Sequence, residues 1–153
     1  NLPRRTQLGD DLGARMANAL RTLLTEGYQQ VVVIGSDSPD LPLTLVNEAF
    51  KALETAEVVI APDEDGGYVL NGESCHHPAL FEAMPWSQPD LMSATDRFLQ
   101  EQDISWQQLE AWEDIDDFGS LQRLLIRSPG SRTAAHVRRI LPSLSPSAPF
   151  PED

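Results

Sequence analysis

Short runs of apolar residues alternate along this chain with segments in which apolar residues recur every three or four positions. The first pattern predicts strands buried on both faces, at 30–34 and 57–61, with further strands expected from Tyr68 onward and over 104–109. The second pattern predicts helices, at 10–26, 43–55, 77–83, 89–101, 118–126 and 131–141. Strands that alternate with helices are typical of α/β proteins. We therefore expect a three-layer αβα domain with a mostly parallel sheet over residues 1–141.

The last twelve residues, 142–153, depart from this pattern. Their sequence, PSLSPSAPFPED, contains four prolines and three serines. A segment of this composition cannot bury enough apolar surface to offset the entropy lost on ordering. We therefore expect a disordered tail there.

Charge and cysteine content narrow the functional classes. The 153 residues include 24 acidic residues against 11 lysines and arginines, a formal net charge of -13. Such a surface repels a phosphate backbone, so nucleic acid is not an expected partner, although a divalent cation can bridge carboxylates to a small phosphorylated ligand. The single cysteine excludes an internal disulfide and indicates a cytoplasmic protein. No apolar run approaches the ~18 residues of a membrane-spanning helix.

The loop GSDSPDLP, at 35–42, is the first candidate for a functional segment. It directly follows the predicted strand at 30–34, and ligands of open α/β sheets bind at the carboxyl ends of strands. Asp37 and Asp40 could hold a ligand there. They could equally cap the loop and the next helix, and the residues alone leave both interpretations open.

Two other clusters contain residue types that support chemistry. The segment Asp65-Gly66-Gly67 predicts a hairpin turn, although paired glycines also allow a ligand to approach the backbone closely. The segment Cys75-His76-His77 contains metal-ligating residue types. Adjacent side chains diverge and a fourth ligand is not evident, so we do not expect a zinc site.

Five blocks of sequence, taken in order, carry a resemblance to a known family. They are QLGDDLGARMANAL (7–20), GSDSPDLP (35–42), PDEDGGYVLNG (62–72), ALFEAMPWS (79–87) and WEDIDDFGSLQRL (112–124). Together they resemble the bacterial glycosyltransferase-like proteins known as DUF2064. That family is similar to nucleotide-diphospho-sugar transferases of GT-A fold and to the nucleotidyltransferases of molybdopterin and coenzyme F420 assembly.

The resemblance implies a cation site built from two aspartates. In the similar fold class an acid in the position of Asp37 binds the metal, and Asp116 matches the place of a second ligand from a later loop. Carboxylates of this kind suit Mg²⁺ or Mn²⁺. Asp114 matches a neighbouring position with a less defined role. The alternative is that this later pair caps the helix predicted at 118–126.

The resemblance also implies that the turn after the second strand faces a ligand. Asp65 would hold a hydroxyl of the sugar or the acceptor, or act as a general base. Gly66, Gly67 and Tyr68 would shape the same part of the site. From the residues alone, a plain hairpin turn is the stronger interpretation of this segment.

Further ligand contacts are expected in the first and fourth blocks. Gln7 and Gly9 could recognise a nucleotide base through hydrogen bonds. Arg15 could meet phosphate, or could pair with Asp11 one helical turn earlier. Trp86 could stack on a sugar or a base, or could cover the edge of the core.

The function implied by the resemblance is metal-dependent transfer of a glycosyl group from a nucleotide-diphospho-sugar donor to an unknown acceptor. Related alternatives are nucleotidyl transfer and a non-catalytic module. The family's glycine- and lysine-bearing nucleotide loop lies upstream of the first block, so we expect an N-terminally incomplete domain. With the full-length domain present, we expect a glycosyltransferase. Such a domain would expose a sheet edge and could form a homo-oligomer.

Overall fold

A computed structural model describes residues 3–82 and 84–142. These residues form helices and strands in alternation: α1 (Leu12–Thr25), β1 (Val31–Ile34), α2 (Leu43–Ala52), β2 (Val58–Pro62), β3 (Tyr68–Glu73), α3 (Ala79–Glu82), α4 (Leu91–Glu101), β4 (Trp106–Gln108), α5 (Phe118–Arg127) and α6 (Arg132–Ile140). Each predicted helix and strand is therefore found within a few residues of its expected bounds. Apart from its first proline, the predicted tail at 142–153 lies outside the described residues.

The four strands form one mixed sheet in the order β1-β3-β2-β4. Strand β3 is antiparallel to both β1 and β2, whereas β4 is parallel to β2. Three of the strands therefore share one direction and β3 opposes them. The reversal follows from the short turn between β2 and β3, because only antiparallel neighbours can be joined by so few residues. The predicted α/β fold class is confirmed.

The chain divides into two compact units. The first comprises residues 1–35 and 42–112, and the second comprises residues 36–41 and 113–153. The whole sheet and helices α1 to α4 belong to the first unit, and α5 and α6 belong to the second. The expectation of one domain over 1–141 stays a prediction.

Helices cover both faces of the sheet in the first unit. Strand side chains alternate between faces, and one face packs with helices α1, α3 and α4 through a buried cluster made of Leu20, Val31, Val58, Ile60, Leu80, Phe81 and Leu99. On the opposite face Gly72 lies against Leu53, the residue that ends α2. These contacts give the unit its three layers.

An irregularity in the β2–β3 register changes the direction of one side chain. Ala61 pairs with Leu70, but the next residue, Pro62, pairs with Tyr68, so one residue of β3 is skipped. Such a bulge moves the following side chain to the other face of the sheet. Tyr68 consequently packs against the cluster of the α1 face.

The second unit has a small core of its own. Leu124 and Leu125 of α5 pack with Ala134 and Val137 of α6, and all four are buried. Both helices begin at residues whose side chains accept a hydrogen bond from the first turn, which satisfies donors that a helix start leaves unpaired. None of the helices in the described part of the chain is long and apolar enough to cross a membrane.

Candidate functional site

The second unit brings the two predicted cation ligands onto neighbouring backbone segments. The Ile115 amide donates to the Asp37 carbonyl oxygen over 3.1 Å, which holds the segment containing Asp116 beside the loop that contains Asp37. Both aspartates are exposed. Among the described residues neither carboxylate forms a hydrogen bond or an ion pair, so both are available to bind a ligand.

The helix-capping role considered for Asp116 belongs to its neighbour. Asp117 caps α5 by accepting from the Ser120 amide over 2.7 Å, and this bond holds the pKa of Asp117 below its usual range. The Asp116 backbone amide donates to the Ser120 hydroxyl over 3.1 Å, which fixes the backbone and leaves its carboxylate out of the cap. The sequence interpretation overlooked Asp117, although its position three residues before a serine is a capping-box signal.

The donor set of this site matches a hard divalent cation with few protein ligands. In the described part of the chain, no three or more His, Cys, Asp or Glu side chains are grouped so that they could hold a metal. Mg²⁺ commonly takes only one or two carboxylates and completes its shell with water and phosphate oxygens. Asp37 and Asp116 are therefore consistent with a Mg²⁺ or Mn²⁺ site of that type, and the assignment stays a prediction.

Asp40, the other aspartate of the loop, has a different environment. Only 3% of its side chain is exposed, and it forms a two-pronged ion pair with Arg127, with Nε–Oδ2 and Nη2–Oδ1 distances of 2.9 and 3.1 Å. The Ser128 hydroxyl also donates to it over 2.7 Å. A carboxylate engaged in this way anchors its own loop instead of binding an external ligand.

Asp65 lies in the tight turn between β2 and β3 of the first unit. Its Oδ1 accepts from the Gly67 amide over 3.1 Å, and the Asp63 amide donates to the Gly67 carbonyl across the turn over 3.0 Å. The Asp63 side chain and the Gly67 amide hold the pKa of Asp65 below its usual range. Asp65 is exposed and ionised at neutral pH, so it can accept hydrogen bonds from hydroxyl groups, whereas its lowered pKa makes it a weak base.

Gly66 and Tyr68 have packing roles that the sequence did not reveal. The φ angle of Gly66 is 97°, and a Cβ atom there would lie 2.1 Å from the Pro89 carbonyl oxygen, so only glycine can occupy the position. The Tyr68 hydroxyl is hydrogen-bonded to Thr95, and burial raises the pKa of Tyr68 to about 12. Their ligand contacts stay predictions.

The first block forms a structured start to α1. Arg15 donates from Nε to the Gly9 carbonyl over 3.1 Å, while Asp11 caps the helix by accepting from the Ala14 amide over 2.7 Å. The side chains of Arg15 and Asp11 therefore each contact the backbone instead of forming the local pair that was one of two alternatives, and a phosphate contact of Arg15 stays a prediction. Gln7 lines an open cavity of about 290 Å³ against α1, which gives it a concave surface on which a ligand contact could form.

Trp86 belongs to a column of aromatic rings. It stacks on Phe81 with a centroid distance of 6.1 Å and meets Tyr68 edge-on at 6.0 Å. Its indole nitrogen donates to the Phe81 carbonyl over 3.2 Å. A Cβ atom on Gly13 would lie 2.3 Å from that nitrogen. These contacts favour the interpretation that Trp86 covers the edge of the core, and sugar stacking stays a prediction.

The two adjacent histidines pair with glutamates. His76 Nδ1 lies 2.7 Å from Glu73 Oε2, and His77 Nε2 lies 2.9 Å from Glu57 Oε2. The Glu73 side chain is fully buried, and this burial raises its pKa, against the smaller opposing effect of His76. The sequence interpretation missed Glu73, because a single acidic residue at the end of a strand gives no sign of its burial.

Comparison with known proteins gives the family. The model of a family described as an uncharacterized protein conserved in bacteria (DUF2064) matches residues 1–88, more than half of the chain. This protein belongs to the DUF2064 family. The resemblance found in the sequence blocks is thereby confirmed.

A solved structure extends the comparison of this DUF2064 protein beyond residue 88. It comes from Desulfovibrio desulfuricans G20, is provisionally assigned as a nucleotide-diphospho-sugar transferase, and has 34% sequence identity and a TM-score of 0.81. The match covers 90% of this chain and 62% of that one, so this chain spans less than two thirds of the other protein. No curated protein matches this chain. The DUF2064 protein therefore shares the fold of a nucleotide-diphospho-sugar transferase-like protein.

Proposed function

We propose that this DUF2064 protein is a glycosyltransferase that uses a nucleotide-diphospho-sugar donor and a divalent cation. The proposal is supported by the fold shared with the Desulfovibrio protein at 34% identity. The observation that carries the cation part is the Ile115–Asp37 backbone bond, which holds the segments of Asp37 and Asp116 together. A nucleotide sugar and an acceptor are the proposed partners.

The two aspartates would hold Mg²⁺ or Mn²⁺ against the diphosphate of the donor. A bound divalent cation neutralises the negative charge that develops on the diphosphate as its bond to the sugar breaks. Asp37 and Asp116 are suited to this role because their carboxylates are exposed and free of hydrogen bonds and ion pairs to the described residues. Their remaining contacts would go to water or to donor oxygens.

The family resemblance supports contacts of the turn at 65–68 with the sugar or the acceptor. We propose that the ionised Asp65 orients the acceptor hydroxyl by accepting its hydrogen bond. Because Asp65 is a weak base, it would take up the hydroxyl proton only as the acceptor oxygen bonds to the sugar and the hydroxyl becomes acidic. Gly66, Gly67 and Tyr68 would define the turn that presents Asp65. Gln7, Gly9, Arg15 and Trp86 are proposed as further contacts to the nucleotide or the sugar, on the strength of the family resemblance.

Calorimetry on the full-length protein tests this function. We expect a panel of nucleotide-diphospho-sugars to bind only with Mn²⁺ present, and we expect Asp37→Asn and Asp116→Asn each to abolish that binding. Turnover should release a free nucleoside diphosphate. Release of pyrophosphate would instead indicate a nucleotidyltransferase, and a full-length protein that binds no nucleotide sugar with Mn²⁺ would overturn both enzymatic interpretations in favour of a non-catalytic module.

A further inference from the structure

Arg127, at the end of α5, contacts two segments that have no regular secondary structure. One is the loop at 36–41, which contains Asp37, and the other is the segment at 113–116, which contains Asp116. Its Nε and Nη2 atoms contact the two oxygens of Asp40. Its Nη1 atom lies 2.6 Å from Glu113 Oε2, and Nη2 donates to the Glu113 carbonyl over 3.3 Å.

The spacing of these contacts along the chain relates them to the candidate ligands. Asp40 lies three residues after Asp37, and Glu113 lies three residues before Asp116. One guanidinium group therefore holds the 36–41 loop at a residue close to Asp37 and the 113–116 segment at a residue close to Asp116. Between these anchors the Ile115–Asp37 backbone bond joins the two segments directly.

The ion pairs of Arg127 are largely shielded from water. The Asp40 and Glu113 side chains are only 3% and 10% exposed, and Arg127 is 26% exposed. Pairs shielded from water lose little strength to ionic screening. The planar guanidinium fixes the direction of each bond, which the single ammonium of a lysine cannot do.

We propose that Arg127 is a positioning residue that sets the separation of the Asp37 and Asp116 carboxylates and so determines cation affinity. This inference rests on the proposed cation site. Arg127 would not touch the cation, because its nitrogens are engaged with Asp40 and Glu113. Outer contacts that orient metal ligands typically change metal affinity by about 10- to 100-fold when they are lost.

Binding of Mn²⁺ alone, followed by electron paramagnetic resonance of the free ion, tests the proposal on the full-length protein. We expect Arg127→Lys, which keeps the charge but not the fork, to weaken Mn²⁺ binding by about 10-fold or more. The matched control is Arg123→Lys on the same helix, because Arg123 is largely exposed and pairs with Glu113. That variant should bind Mn²⁺ within about threefold of the wild type.

A second measurement reports on the segments without any metal. Hydrogen exchange of the Ile115 amide in the metal-free protein should be faster in Arg127→Lys than in the wild type and unchanged in Arg123→Lys. Circular dichroism of each variant establishes that it is folded, and Arg127→Gln replaces Arg127→Lys if the latter is not.

The outcomes separate this inference from the proposed function. If the wild type binds Mn²⁺, Asp37→Asn abolishes binding and folded Arg127→Lys binds as the wild type does, then the positioning role is wrong and the cation site stands. If the wild type binds no Mn²⁺, the cation site itself is wrong and the positioning role falls with it. Weakened binding together with faster Ile115 exchange in Arg127→Lys, and neither change in Arg123→Lys, supports the proposal.

Discussion

The ion pair between Asp40 and Arg127 predicts an asymmetry between its two partners. Arg127→Met removes the two-pronged ion pair of the largely buried Asp40 carboxylate, whereas Glu113 keeps its ion pair with Arg123. Asp40→Asn leaves Arg127 charged, but Glu113 still accepts from it. Removing the arginine should therefore destabilise the second unit more than neutralising the aspartate.

The expected losses of unfolding free energy follow from the contacts that each variant removes. Breaking a buried pair by removing one partner costs about 3–5 kcal/mol, because the remaining charge stays uncompensated. For Arg127→Met we expect a loss in this range. Asp40→Asn preserves the shape, and its one amide oxygen can still accept from Arg127 Nε and the Ser128 hydroxyl. Its NH2 group would face Arg127 Nη2, so the variant loses one of the two bonds to Arg127 and the charge assistance of the rest, about 1.5–3 kcal/mol. Asp40→Leu in the Arg127→Met background should recover part of the loss, since it removes one buried charge.

Urea unfolding followed by far-ultraviolet circular dichroism, to which α5 and α6 contribute, measures these free energies. The second unit can unfold separately, so each curve must first be tested for a single transition. Equal losses for Arg127→Met and Asp40→Asn, or losses below about 1 kcal/mol for both, would refute the reasoning, because such values are typical of an exposed pair. Arg123→Met serves as the exposed control.

Three further predictions concern the first unit. Burial raises the pKa of Glu73 above its ordinary 4.5, so the contribution of Glu73 to stability is present below that pH and is lost as the pH rises. The Glu73→Gln variant should therefore be more stable than the wild type at pH 7 to 8, and the difference in melting temperature should vanish toward pH 4. Gly66→Ala should lower the unfolding free energy measured in urea by about 2–4 kcal/mol, because of its positive φ and the clash with the Pro89 carbonyl. In the control Gly67→Ala the new Cβ meets only Asp65 Oδ1 at 3.4 Å, so the unfolding free energy should change little. Asn71 is 1% exposed and its amide has no partner among the described residues, so Asn71→Leu should raise the unfolding free energy by about 1 kcal/mol; a lower melting temperature would count against this.

Local periodicity was sufficient to predict the helices and strands of this chain. The segment at 43–55 repeats its apolar residues with the helical period, and α2 occupies Leu43–Ala52 within it. The strand at 57–61 is apolar at nearly every position, as a strand covered by helices on both faces must be, and the structure buries all five residues of β2. Such signals are local, since they depend on residues a few positions apart.

The place of β3 could not be predicted in the same way. Asp65-Gly66-Gly67 did indicate a hairpin, and hence an antiparallel neighbour for β2. Strand β3 also pairs with β1 and so separates two strands that run in the same direction. This pairing depends on contacts between residues about forty positions apart. The bulge that turns Tyr68 toward the α1 face likewise depends on the pairing of two strands, which neither strand encodes alone.

The two aspartates of the GSDSPDLP loop show why the candidate site was only partly predictable. They are three residues apart, they follow the same strand, and either could be a ligand or a cap by local criteria. What distinguishes them is Arg127, which lies 87 residues after Asp40 and engages its carboxylate, while that of Asp37 stays exposed and unpaired among the described residues. Because α5 places that arginine, the same long-range contact that removes Asp40 from ligand binding fixes the loop that presents Asp37. Neutralising Asp37 should therefore change cation binding with little loss of stability, whereas neutralising Asp40 should affect both.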